Sequence, residues 1–173
     1  EAWEFNQDGS VLTIHLRRGI RWSDGHPFTS ESFAFFYQLC LDTRHSYEPP
    51  AWCLVDGKPM EIETPDNYTI TMKFAGPNWL APLWLGTGFW HSEKYNIPKH
   101  YMIQFHPDYS EHKNFNQFEK RDLNHQNPDR PTLWPWRMIK NEKGGYRVEF
   151  ERNPYYYVVD SLGRQLPYID KVK

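Results

Sequence analysis

Apolar and polar residues alternate in several short runs, which is the pattern of strands with one buried face. The clearest alternation is at residues 68–74, and a run at residues 60–63 is its natural partner across a short turn. The runs occur in neighbouring pairs, and each pair is separated by a connection of hairpin length. The six runs are residues 3–5, 11–16, 60–63, 68–74, 136–141 and 146–152. The pattern therefore predicts three antiparallel hairpins.

A longer helical pattern begins at Thr29, whose hydroxyl can accept a hydrogen bond from a free N–H of the first turn. Apolar residues follow with the period of an amphipathic helix; they are Phe33, Phe36, Tyr37, Cys40 and Leu41. Shorter helices are predicted at residues 78–85, 98–105 and 114–123. Together, the strands and helices predict an α+β fold, in which helices pack on a small mixed or antiparallel sheet.

Two loops flank this first helix. In the preceding loop, Asp24 and Gly25 predict a turn, because glycine tolerates positive φ and aspartate can bond the following backbone. Trp22 should pack beneath the helix. The following loop, residues 42–52, carries two prolines that exclude a helix. Its Tyr47 and Trp52 have flat faces suited to a peptide backbone or a sugar ring, although either can instead cover the core.

Composition narrows the classes of function. A chain of 173 residues is long enough for one domain with a real core. Its net charge of −2 shows no excess of basic residues of the kind that binds nucleic acid. No run of eighteen apolar residues is present, so no membrane span is predicted. The chain opens at Glu1 without a methionine or a signal peptide, and we expect it to be a piece of a longer protein.

Motifs for catalysis, metals and cofactors are missing from the sequence. The eight histidines form no HExxH pattern, and the two cysteines form no CxxC, so the usual zinc spacings are absent. The nucleophile elbow, the P-loop and the dinucleotide fingerprint are also absent. We therefore predict no catalytic residue, no metal site, no cofactor and no enzymatic activity. Cys40 and Cys53 are expected to be buried thiols.

Three blocks of residues stand in order over most of the chain. The first is LRRGIRWSDGHPFTSESF at residues 16–33, and the second is IPKH at residues 97–100. The third is GYRVEFERNPYYYVVD at residues 145–160, followed by GRQLPYIDKV. Together they resemble the extracellular solute-binding proteins of family 5, the oligopeptide- and dipeptide-binding class of ABC importers. The residues that we take as the structural signature are Trp22, Asp24, Gly25, Thr29, Asn153 and Pro154.

The resemblance implies a two-lobed periplasmic-binding-protein fold whose first lobe has two subdomains. Residues 1–152 would be the smaller subdomain of lobe one, and residues 153–173 a return segment toward the main subdomain. The implied function is part of the substrate-binding component of an ABC importer, with Tyr47 and Trp52 as ligand contacts. Oligopeptides are the first expected ligand, and permease subunits are the expected partners. The parent would be secreted or lipid-anchored, at the periplasmic or extracellular face of the membrane.

Several alternatives stay open beside this interpretation. An oligosaccharide-binding protein fits the resemblance, and a protein-interaction module with tryptophans as its platform fits the composition. The family usually has Gly-x-Gly-Pro-Tyr before the last hairpin, whereas this chain has TLWPW at residues 132–136. That departure weakens an inference of ligand class from better-known members. The implied location outside the cytoplasm also permits a disulfide between Cys40 and Cys53.

Overall fold

The chain is divided into two compact units in the computed structural model. Unit 1 comprises Glu1–Arg18 and Thr29–Ile97, and unit 2 comprises Gly19–Phe28 and Pro98–Lys173. The chain therefore starts in unit 1, passes to unit 2, returns to unit 1 and ends in unit 2. The residues that the structure describes are 2–86, 95–112, 114–123, 126–142 and 147–173.

Unit 1 is built on an antiparallel sheet. Its strands are β1 (Ala2–Phe5), β2 (Val11–His15), β3 (Leu54–Val55), β4 (Lys58–Pro59), β5 (Glu61–Asp66) and β6 (Thr69–Lys73). Four of them form one sheet in the order β1-β2-β6-β5, and β3 pairs with β4. The two hairpins predicted in this part of the chain are confirmed. Pairing of β2 with β6 joins them, with Leu12 opposite Met72, and was not predicted from the pattern.

Helix α1 (Ser30–Leu41) packs within unit 1. The Ser30 hydroxyl donates to the Asp66 carbonyl at 2.8 Å, and the Tyr37 hydroxyl donates to the Met60 carbonyl at 2.7 Å. Phe35 and Leu39 are buried in addition to the predicted residues, so the buried face is wider than one stripe. Glu31 and Gln38 stay exposed, so α1 keeps a narrow polar face opposite a wide apolar one.

Two details of the α1 prediction are wrong. Leu41 is 48% exposed, because it is the last helical residue and the chain turns away at Asp42. Thr29 occupies the N-cap position with extended backbone, but its hydroxyl makes no capping hydrogen bond. Its carbonyl instead accepts the N–H of Ser32 at 3.1 Å.

The shorter helices are close to the predicted ranges. They are α2 (Ala81–Gly86) in unit 1, and α3 (Lys99–Met102) and α4 (Asn116–Asp122) in unit 2. A 3₁₀ turn at Ile103–Phe105 continues α3, so the predicted helical segment 98–105 is confirmed. Helix α2 begins later than predicted, and the Asn78 side chain donates to the Trp52 carbonyl at 2.7 Å.

The strands of unit 2 are β7 (Trp136–Glu142), β8 (Arg147–Arg152) and β9 (Lys171–Val172). They form an antiparallel sheet in that order. The predicted third hairpin is confirmed, while its Lys-Gly-Gly turn and Tyr146 lie outside the described residues. Strand β9 was not predicted; its Lys171 pairs with Glu151.

The expected division of the chain is not tested by these units. Residues 153–173 lie in unit 2 together with residues 98–152. Their expected role as a return segment toward a main subdomain stays a prediction. In the part of the chain that the structure describes, the longest helix is α1 with 12 residues, and no helix has the length and hydropathy to cross a membrane.

Trp22 lies in the core of unit 2, where it is completely buried. Its ring contacts Phe28 edge-on at 6.0 Å and lies 6.1 Å from the ring of His100. The expected burial is confirmed. Helix α1 belongs to unit 1, and the packing of Trp22 beneath it stays a prediction.

Replacing Trp22 with alanine should destabilise unit 2, because truncating a buried tryptophan removes apolar contacts and leaves a cavity. The expected cost is about 3–5 kcal/mol, which lowers a melting temperature by roughly 6 °C or more. Calorimetry of the parent and the variant measures this loss. Trp3→Ala is the matched control, since Trp3 is 58% exposed and should change the melt little. Equal effects of the two substitutions would contradict the assignment of Trp22 to the core.

Candidate functional site

Five aromatic rings of unit 1 form a cluster at the loop of residues 42–52, hereafter the aromatic cluster. Its members are Phe33, Phe36, Tyr47, Trp52 and Tyr95. Ring centroids lie 6.2 Å apart for Phe36 and Tyr47, and 6.4 Å apart for Phe33 and Trp52. Tyr95 links the two halves, at 5.4 Å from Phe36 and 5.8 Å from Trp52. The loop thus brings both predicted ligand contacts to the apolar face of α1.

The loop is held by hydrogen bonds at its start. The backbone N–H of Asp42 donates to carbonyls of the last turn of α1, and its carboxylate binds the Arg44 guanidinium at 2.6 Å. Nδ1 of His45 accepts the N–H of Tyr47 at 3.0 Å, and the two rings meet edge to face at 4.3 Å. Tyr47 is therefore half-buried and its backbone is fixed. A fixed backbone loses less conformational entropy when the side chain contacts a ligand.

Trp52 lies deeper than Tyr47. It is only 8% exposed, and its carbonyl is occupied by the Asn78 side chain. Its indole Nε1 is buried without a hydrogen-bond partner in the described part of the chain. A buried indole N–H usually finds an acceptor, and this one is enclosed rather than exposed to solvent. A role of Trp52 in ligand binding stays a prediction.

The two cysteines lie in unit 1 as thiols that are not joined by a disulfide. Cys53 is completely buried and Cys40 is 6% exposed. Burial raises the pKa of the Cys53 thiol well above its ordinary value, and nearby Cys40 acts in the same direction. Burial likewise raises the pKa of the Tyr37 phenol. These groups stay protonated near neutral pH, and a protonated buried thiol is a poor nucleophile.

In unit 2, the signature residues Trp22, Asp24 and Gly25 form a tight turn. The N–H of Gly25 donates to the Trp22 carbonyl at 2.8 Å, and the N–H of Trp22 donates to the His26 carbonyl at 2.9 Å. Gly25 has φ of +89°, which favours glycine. A Cβ at this position would also lie 3.0 Å from the hydroxyl of Tyr155. The positive φ therefore favours glycine in the turn, and a larger residue would also have to displace the Tyr155 ring slightly.

A buried polar joint connects this turn to the TLWPW segment. Ser23 and Thr132 exchange two hydrogen bonds: the Ser23 N–H donates to the Thr132 carbonyl at 2.9 Å, and the Thr132 N–H donates to the Ser23 hydroxyl at 3.0 Å. Asn153 is completely buried and donates its side-chain amide to the Trp134 carbonyl at 2.9 Å. Its backbone N–H donates to the Pro135 carbonyl at 2.8 Å. The first and third blocks of the resemblance thus meet through backbone groups of this segment.

The second block joins the same turn through His100. Its Nε2 lies 2.8 Å from the Asp24 carboxylate, and the imidazole of His26 stacks on it at 3.9 Å. Burial lowers the pKa of His100, whereas Asp24 acts in the opposite direction. In the described part of the chain, no hydroxyl or thiol is hydrogen-bonded to His100, so the pair lacks the nucleophile of a catalytic relay.

The structure places most of the predicted signature in unit 2 and the predicted ligand contacts in unit 1. Trp22, Asp24 and Gly25 lie in unit 2 with Asn153 and Pro154. The carbonyl of Pro154 accepts the Gln165 side-chain amide at 2.9 Å. The other signature residue, Thr29, lies in unit 1, as do Tyr47 and Trp52. Sequence reasoning missed Ser23, His100 and Thr132 as structural partners, although all three lie in or beside the recognised blocks.

Comparison with known proteins gives a family match over the whole chain. The model described as "Bacterial extracellular solute-binding proteins, family 5 Middle" matches residues 1–173. The periplasmic alpha-galactoside-binding protein of Rhizobium meliloti (strain 1021) is 31% identical over 181 aligned residues, which cover 99% of this chain and 24% of the relative.

Two solved structures have the same fold. The structure of an oligopeptide-binding protein OppA matches with a TM-score of 0.82 and 30% identity, over 98% of this chain and 28% of its own. The periplasmic binding protein MelB from Agrobacterium fabrum C58, in complex with stachyose, matches with a TM-score of 0.78 and 29% identity, over 98% of this chain and 25% of its own. The chain thus spans about a quarter of the length of the proteins it resembles.

Asn153→Ala should destabilise unit 2, because it removes the hydrogen bond from the completely buried Asn153 side chain to the Trp134 carbonyl. A lost partner of this kind costs about 1–3 kcal/mol. Urea unfolding measures the loss as a lower midpoint with an unchanged slope. The matched control is Asn116→Ala, since Asn116 is exposed at the start of α4 and should tolerate the change. If the Asn153 variant unfolds like the parent, the polar joint contributes little to the stability of unit 2.

Proposed function

The chain belongs to the bacterial extracellular solute-binding proteins of family 5, and from this membership we propose that it is part of the substrate-binding component of an ABC importer for oligopeptides. The observation that carries the proposal is the family match from the first residue to the last. The resemblance in fold to an oligopeptide-binding protein supports the ligand class. Binding, and not catalysis, is the expected activity of the chain.

The aromatic cluster supports a ligand contact at the loop of residues 42–52. Tyr47 is half-buried, so part of its ring is accessible while its backbone is fixed by His45. A flat ring with a hydroxyl at its tip packs against a peptide backbone and also offers a hydrogen bond. Trp52 is only 8% exposed and packs against Tyr95 of the same cluster. We assign Tyr47 the direct ligand contact, and Trp52 the support of the loop and a contact through the small exposed part of its side chain.

The proposal extends to location and partners. Curated relatives are named periplasmic proteins, which supports a place at the periplasmic or extracellular face of the membrane. The parent would be secreted or lipid-anchored and would deliver its ligand to permease subunits. Within the parent, residues 1–152 would be the smaller subdomain of the first lobe. Residues 153–173 would lead toward the main subdomain.

Oligosaccharides are the second candidate ligand. Two observations favour them: the Rhizobium relative, which is named for alpha-galactosides, aligns along nearly the whole chain, and MelB binds stachyose. Aromatic faces such as those of Tyr47 and Trp52 also suit sugar rings.

Mass spectrometry of small molecules that copurify with the full-length protein distinguishes a peptide ligand from an oligosaccharide ligand. Peptides support the first proposal, and oligosaccharides support the second. Failure of the full-length protein to bind either class would leave an interaction module in their place.

Tyr47→Ala in the full-length protein should weaken ligand binding at least fivefold, or about 1 kcal/mol, which is a common threshold for a residue that matters. The melting temperature should change little, since the ring is only half-buried. Isothermal titration calorimetry with the copurified ligand measures the affinity. Tyr109→Ala is the control, because Tyr109 is 68% exposed and lies in unit 2. Parent-like affinity of the Tyr47 variant would remove this loop from the site.

A further inference from the structure

Two histidines of unit 2 lie plane to plane. The rings of His26 and His100 have centroids 3.9 Å apart and planes that differ by 5°. His26 belongs to the segment 19–28, whereas His100 belongs to α3. Asp24 contacts both partners: one carboxylate oxygen lies 2.8 Å from Nε2 of His100, and the other accepts the backbone N–H of His26 at 3.0 Å. A single carboxylate therefore binds both of the residues whose imidazoles stack.

The two rings differ in their access to water. The His26 residue is exposed, while the His100 side chain is only 20% exposed and lies beside the buried indole of Trp22. A positive charge on His26 can be hydrated directly. A positive charge on His100 depends on Asp24, because burial disfavours the charged form.

The number of protons on the stack decides whether it is stable. With one proton or none, the stack holds at most one positive charge, and Asp24 balances it. With two protons, like charges face each other at the distance of a ring contact, and a single carboxylate must balance both. Repulsion is strongest at such short range and in a partly buried place.

The other charged or titratable groups at this turn do not relieve the repulsion. The guanidinium of Arg21 donates to the Gly25 carbonyl at 2.8 Å, and the phenol of Tyr155 lies against Gly25. Lys99 precedes His100 in α3. Arginine and lysine remain cationic between neutral and mildly acidic pH, and tyrosine remains neutral. In the part of the chain that the structure describes, Asp24 is the carboxylate that is hydrogen-bonded to both histidines of the stack.

We propose that the His26–His100 stack is an acid-sensitive clasp, which holds the segment 19–28 to α3 near neutral pH and weakens when both rings are protonated. Both elements that the clasp joins, the segment 19–28 and α3, belong to unit 2.

The sign of the pH dependence follows from His100. Burial lowers the pKa of His100 in the folded protein below its ordinary value, with Asp24 opposing the effect. The unfolded chain then binds the proton more readily than the folded one. The stabilisation is present above the unfolded-state pKa of about 6.5 and is lost as the pH falls below it.

The test compares thermal unfolding of the parent and of His26→Gln at about pH 7.5 and about pH 5, which bracket histidine titration. Glutamine keeps a planar polar side chain but cannot take up the proton. The acid-induced drop in melting temperature should be smaller in His26→Gln by about 3 °C or more. Asp24→Asn should enlarge the drop, because it removes the counter-charge. His15→Gln, at an exposed histidine of unit 1, should not reduce it.

A second measurement follows the imidazole resonances of the parent during an NMR titration. The clasp requires that protonation of one ring shift the titration of the other. Equal acid-induced drops in the parent and His26→Gln would overturn the proposal. Two independent titrations with ordinary midpoints would overturn it as well.

Discussion

The fold of unit 2 depends on a buried polar joint between residues far apart in the chain. Ser23 and Thr132 are 109 positions apart, yet each satisfies a backbone group of the other. Asn153 completes the joint by donating to the same TLWPW segment. Such a network stabilises only when it is complete, because each unpaired buried group costs more than a typical hydrogen bond gains. The position of the whole segment 19–28 within unit 2 therefore follows from a few side chains.

The sequence predicted local elements well because their signals are local. Alternation at residues 68–74 reports which face of one strand is buried, and Ile70 and Met72 are indeed buried. It does not report which strand lies alongside, so the pairing of β2 with β6 could not be read from it. Leu41 shows a related limit. Its helical spacing is correct, but its exposure depends on where the chain leaves the helix.

The candidate site was less accessible to sequence reasoning. The aromatic residues Tyr47 and Trp52 could be found from their place in the loop, but their depth could not. That depth depends on partners outside the loop, such as Asn78 and Tyr95, which no spacing rule connects to it. The contact of the Asp24 carboxylate with both histidines could not be predicted either, because a role in the turn already explains an aspartate at this position. The burial of the loop aromatics and the contact of Asp24 with His100 both depend on residues that are distant in the sequence.

The residues that identify the family and those proposed to touch the ligand lie in different places, and this separation limits what a sequence can reveal. Trp22, Gly25 and Asn153 meet demands of packing, backbone conformation and buried hydrogen bonding that are the same for any ligand. Tyr47 and Trp52 meet no such demand beyond filling an aromatic cluster, which several ring types can fill. A chain can therefore resemble binders of peptides and binders of sugars at nearly equal identity, as this one does. The first set meets constraints of the architecture, whereas the proposed ligand contacts of the second set are free to vary with the ligand.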